Sequence, residues 1–248
     1  MTTQAVGRGE ASEGRLPDAL KVQLGWIAGG LALGFLVPLM FADLLEVPRD
    51  GYYAIYTVAV VGFLAAWVRA THQRVGEMVR RRWVAAVTLG VVCAGIMAAV
   101  VVGTEDASAR PGGIDLVGAV AWRGVVYGIV DGLLLSAFPI LAVFCAFAGS
   151  RLRTRWQGTL AVGAIALVAS LAMTAVYHAG YSEFRSSQLR SPVAGDLVWS
   201  APTLLTLNPI GAPIAHVGLH TSAVLHSYET DLFLPPHAEA VASQGGGS

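Results

Sequence analysis

Charge is what this chain has little of: only 13% of its 248 residues are Asp, Glu, Lys or Arg, where a soluble domain carries about a quarter. That shortage excludes an ordinary water-covered surface. The sixteen basic residues are matched by sixteen acidic ones, so there is no basic excess of the kind that nucleic-acid binding requires. Cysteine is equally sparse. Cys93 and Cys145 each lie inside an apolar run, where they read as small core residues and define no redox compartment. The first 23 residues lack the short apolar core and small-residue cleavage site of a secretory signal, so the first apolar segment is expected to be a retained helix.

What is abundant is apolar sequence, at 55% of residues. Crossing about 30 Å of hydrocarbon takes about 20 apolar residues in a helix. Five stretches meet that length: 24–45, 52–68, 83–102, 122–148 and 158–177. A sixth, 199–225, is apolar overall but carries Pro202, Asn208, Pro209, Pro213, His216 and His220. Its first half is expected to be broken or re-entrant, because irregular backbone in a membrane must be buried in protein or line a cavity. The expectation is an all-α polytopic bundle of about six transmembrane helices, with an N-terminal tail over 1–23, a helical domain over 24–227 and a C-terminal tail over 228–248. The segment 231–244 reads as a mobile tail, and Gly245-Gly246-Gly247-Ser248 as a linker remnant.

Arginine marks one side. Arg69, Arg74, Arg80, Arg81 and Arg82, then Arg151, Arg153 and Arg155, fall in alternate loops together with Arg8, Arg15 and Lys21 of the tail. Short loops rich in Lys and Arg stay in the cytoplasm, which predicts a multi-pass protein of the cell membrane with both termini cytoplasmic. The opposite loops carry Asp43, Glu46, Asp50, Glu105, Asp106, Asp115, Glu183 and Asp196.

Ionisable residues inside a bilayer are costly, so each is a candidate site. Asp131 lies eight residues beyond Arg123, about 12 Å deeper in the fourth helix. His178 ends the fifth. His216 and His220 stand at i and i+4, on one helical face, in the manner of paired zinc ligands. Asp131, His178, His216 and His220 are therefore candidate ligands for a divalent metal such as zinc, or hydrogen-bonding glue for the bundle. His226 is expected at the interface near the cytoplasmic end. Tyr181-Ser182-Glu183-Phe184-Arg185 could form a mouth or a solvated turn. The purely apolar stretches 141–148 and 160–168 argue against a continuous polar path, and so against a small transporter.

The last three segments resemble the CAAX-protease and bacteriocin-processing (CPBP, or Abi) family of intramembrane proteases. That family shows Glu-Glu-x-x-x-Arg-Gly, then Phe-x-x-x-His, then His-x-x-x-Asn. The matching stretches here are Gly118-Ala119-Val120-Ala121-Trp122-Arg123-Gly124, Thr174-Ala175-Val176-Tyr177-His178 and His216-Val217-Gly218-Leu219-His220. The resemblance implies that the last three helices form a CPBP-like core and that Arg123, His178 and His216 are catalytic, with His220 in a modified role. Gly118 and Ala119 stand where the family has its glutamate pair, Thr174 replaces Phe, and His220 replaces Asn. Asp131 is a candidate for the missing carboxylate. Two expectations remain level: a metal-dependent hydrolase with a rebuilt Asp/His site, or a relative that has lost proteolysis. A third is a non-enzymatic membrane subunit that binds a partner protein or a lipid.

Overall fold

In the computed structural model, residues 18–235 are described, and among them the chain is all-α. Five helices are long and apolar enough to cross a membrane: α1 (Asp18–Leu44), α2 (Arg49–Ala70), α4 (Trp83–Thr104), α5 (Gly113–Ala146) and α6 (Trp156–Ala179). A short α3 (Val75–Arg80) lies in the loop between α2 and α4. The five spans expected from the sequence are all present. Val58, Ile114, Val117, Leu160 and Val168 remain exposed on the bundle's flanks, as side chains facing lipid must.

The sixth segment differs from expectation. It does not cross once; it forms two antiparallel limbs. The first is α7 (Arg190–Trp199) followed by α8 (Ala201–Thr206), and the second is α9 (Gly211–His226). Pro202 and Pro213 stand in the first turns of α8 and α9, where a missing N–H costs nothing. Between them Leu207 adopts a left-handed conformation at φ 55°. The Asn208 side chain then fixes the reversal: its Oδ1 accepts from Ile210 N at 3.0 Å and its Nδ2 donates to Val79 O and Arg81 O at 2.8 and 2.7 Å. This turn therefore lies at the arginine-rich face, beside the α3–α4 loop.

α9 runs back from there, and His226 Nε2 hydrogen-bonds Glu105 O at 3.0 Å at the acidic face. The extra limb changes the topology. Gln23, near the start of α1, accepts from Trp67 Nε1 at the arginine-rich end of α2, whereas residues 226–235 lie at the acidic face. Residues 18–23 and 226–235 thus lie at opposite ends of the bundle, which places His226 at the end opposite to that expected. Arg8, Arg15, His237 and the Gly245–Ser248 remnant lie outside the described residues.

The start of the C-terminal segment is packed, not loose. Arg49 is buried, and its guanidinium donates to Pro235 O, Tyr228 O, Thr230 O and the Asp231 carboxylate at 2.8–3.2 Å. Leu234 is buried in the apolar cluster with Met97 and Leu219. One guanidinium satisfying three carbonyls and one carboxylate holds 228–235 against the bundle.

α5 and α9 meet at unusually close range. Gly124, Gly128 and Gly132 recur every four residues and so form one stripe on α5. A Cβ at Gly128 would stand 2.8 Å from Val217 Cα, and one at Gly132 would stand 2.7 Å from Pro213 Cα. Small residues at such spacing let helix backbones touch in membranes. The consequence is that Asp131, next to the stripe, meets the His216 and His220 face of α9.

Candidate metal centre

α5 is not a regular helix. Its central α-helical turns, Tyr127–Gly132, are flanked by π-helical segments at Val120–Val126 and Leu133–Ala137. Local π-helical turns often occur at functional sites. Here they have a geometric effect. Five residues along a regular α-helix leave two side chains about 140° apart, but the π-helical turn brings Ser136 back beside Asp131. Both then reach the same imidazole: Asp131 Oδ2 lies 3.3 Å from His216 Nδ1, and Ser136 Oγ lies 3.4 Å from His216 Nε2.

Asp131, His216 and His220 are all buried, with one ligand atom from each lying within 4.8 Å of the others. His220 Nε2 is 3.3 Å from the same Asp131 Oδ2. The group could hold a metal ion. Proton accounting sharpens this. His220 Nδ1 faces Phe233 O at 2.8 Å, and a carbonyl can only accept, so that nitrogen carries the proton and Nε2 is left as a lone pair. Ser136 gives its single proton to Asp196 Oδ1 at 3.0 Å, so it accepts from His216 Nε2–H and leaves His216 Nδ1 bare. His216 Nδ1 indeed has no hydrogen-bond partner among the described residues. Two nitrogen lone pairs thus converge on one carboxylate oxygen.

Such an arrangement suits a cation. A single added proton would satisfy one histidine only, and two would crowd two imidazolium charges inside an apolar bundle. One metal ion satisfies all three atoms. Tetrahedral ligands at 2.0–2.1 Å from zinc stand about 3.3 Å from one another, which matches both nitrogen-to-oxygen separations. The outer contacts also fit, since metal-bound histidines donate their other N–H to a carbonyl, carboxylate or hydroxyl. Tyr56 adds one more, donating to Asp131 Oδ1 at 3.0 Å and leaving Oδ2 to the histidines.

Asp196 extends the chain. It is fully buried in α7 and not in an outer loop as expected; its Oδ1 accepts from Ser136 and from Ser200 Oγ at 2.5 Å. Asp196, Ser136 and His216 form a relay that fixes the imidazole plane. The sequence offered a signal for it, Ser200 four residues after Asp196 within an apolar run.

The other expected residues are placed differently. His178 lies outside the trio but lines the same cavity, of about 440 Å³, as Asp131, His216 and His220. Its Nδ1 donates to Thr174 O at 2.8 Å, so its Nε2 keeps a lone pair. Arg123 is not part of the centre. It pairs bidentately with Asp50, both bonds 2.8 Å, and lies over the Tyr228 ring. The reason is position: Arg123 sits about two turns from Asp131 along α5, level with the first turn of α2, which supplies Asp50. Gly118 has open space at its Cβ position and Ala119 packs into the apolar core. Tyr181 and Phe184 are buried and line the cavity, while Arg185 pairs with Asp43 at 2.9 Å.

Beside the trio lies a ring of phenols that sequence inspection does not reveal. Tyr181 donates to Tyr52 at 2.6 Å, and Tyr177 contacts Tyr52, Tyr127 and Tyr181 at 3.2, 2.5 and 2.7 Å. A cycle from Tyr181 to Tyr52 to Tyr177 and back, with Tyr127 donating into Tyr177, uses every phenol proton. Tyr127 also stands edge-on to the His220 ring, with centroids 4.8 Å apart.

No protein-family model, no curated protein and no solved structure matches the chain.

Proposed function

We propose that the chain is a divergent CPBP-like membrane protein in which a metal site replaces the family's glutamate pair, and that it acts as a metal-dependent hydrolase within the membrane. The observation that carries this reading is the convergence of two bare imidazole nitrogens on Asp131 Oδ2 at the floor of a cavity. Two histidines and one carboxylate leave a coordination position open, the pattern of catalytic zinc. Asp131, His216 and His220 would hold the ion, with Ser136 and the Phe233 carbonyl orienting the two imidazoles. A metal so held supplies an activated water.

The remaining chemistry falls to His178. Its Nε2 takes the proton from water as the water oxygen bonds to a substrate carbonyl carbon. It returns that proton to the leaving group as the carbon–leaving-group bond breaks. The arginine-rich loops assign that face to the cytoplasm, so the cavity opens on the other side of the cell membrane. Gly118 and Ala119 favour a second reading, a non-enzymatic membrane subunit that binds a partner or lipid through the same cavity.

The test is hydrolysis of fluorogenic acyl esters and amides by zinc-loaded protein in liposomes. Turnover by the wild type, its loss in His178→Gln with metal content unchanged, and loss of both in Asp131→Asn are expected. Turnover that survives Asp131→Asn, or full metal loading with no turnover, contradicts hydrolysis at this site.

A further inference from the structure

The cavity is mostly apolar in its lining, with the trio and His178 gathered at one end. The trio and His178 form one polar end, Met97, Val100, Val198 and Leu219 form apolar walls, and Thr104, Glu105, Ser191 and Asp231 also line the cavity. Two helices let it reach the surface of the bundle. On α4, Val100 and Thr104, one turn apart, both line the cavity and are exposed. On α7, Ser191 and Ala194 do the same. The opening is therefore a seam between α4 and α7. Val100 lies four residues before the end of α4, about 6 Å below it, so the seam reaches from the acidic face, where Glu105 and Asp231 line the cavity, down the membrane-facing side of the bundle.

From this we infer that the cavity takes a single-chain amphiphile from the outer leaflet, its chain along the α4–α7 seam and a carboxyl-derived head (acyl ester, amide or free carboxylate) at the polar floor. Oxygen ligands of this kind suit a metal held by two histidines and a carboxylate. The position of the head rests on the metal-centre reading; the passage of the chain through the seam does not. A water-soluble substrate would need neither an exposed valine in the wall nor an opening on the lipid side.

The experiment uses full-length protein in liposomes and a long-chain fatty acid carrying a photoactivatable diazirine. Cross-linked positions are mapped by peptide mass spectrometry, with and without excess unlabelled fatty acid. Labelling is expected at cavity-lining residues of α4 and α7, competed by the unlabelled acid, and lowered at least about tenfold by Val100→Trp or Ala194→Trp. Val58→Trp, on a lipid-facing part of α2, is the control and should leave it unchanged. Labelling spread evenly over the lipid-facing helices, or competed labelling that neither tryptophan lowers, overturns the inference. The wild-type competition arm needs no variant to fold. Zinc content of the same samples separates the two readings: competed seam labelling without metal removes the hydrolase alone, and metal without competed labelling removes the amphiphile alone.

Discussion

Two buried polar clusters lie side by side in this bundle, and they obey opposite rules. In the phenol ring of Tyr52, Tyr127, Tyr177 and Tyr181, each proton has an oxygen to go to. In the Asp131, His216 and His220 trio, the acceptors face one another and the protons have all been used elsewhere. A self-satisfied network holds helices together. An acceptor cluster that lacks a proton is a place for a cation. The contrast separates a closed hydrogen-bond network from a cluster of converging acceptors.

Several substitutions sharpen or break that contrast. The largest effect is expected at the ligands: His216→Ala or His220→Ala should abolish stoichiometric zinc binding, read by metal analysis of detergent-purified protein. Equal metal in wild type and both variants would break the contrast. Gly128→Leu comes next. Its side chain has no room against Val217 Cα, so α5 and α9 must separate, and both thermal stability and metal affinity should fall together. Ser136→Ala leaves the ligands in place but removes the partner of His216 Nε2. Outer contacts of this kind are worth about 10- to 100-fold in metal affinity, and a competition titration against a zinc chelator should show a loss in that range. The smallest effect belongs to the other cluster: Tyr177→Phe should lower stability by about 1–3 kcal/mol in a denaturation assay while zinc affinity stays as in the wild type.

How much of this could be read from sequence depended on the kind of signal. The five long helices were legible because their apolar runs leave no other fate in a chain with so few charges. Asp131 stood out as a carboxylate in the middle of an apolar helix, and His216 and His220 as a pair on one face. The sixth segment was only half legible. Pro202 and Pro213 announced a break, but the reversal depends on Leu207 in a left-handed conformation and on Asn208 bridging to the α3–α4 loop, a contact between residues about 130 apart. The burial of Arg49 had no local signal, because nothing near it in sequence shows that 228–235 returns to surround it. Tyr52, Tyr53 and Tyr56 gave no sign of their burial, which follows from partners on α5 and α6. The π-helical turns that align Asp131 with Ser136 have no sequence signature of their own.

The central claim is that Asp131 Oδ2 and two bare histidine nitrogens form a metal centre. Calorimetric titration of zinc into metal-stripped protein tests it most directly, run alongside Asp131→Asn. The account predicts one zinc per chain in the wild type, with binding that weakens as the pH is lowered because protons compete for the imidazoles, and no saturable binding in the variant. Absence of saturable zinc binding in the folded wild type, or binding of equal strength in Asp131→Asn, would contradict it.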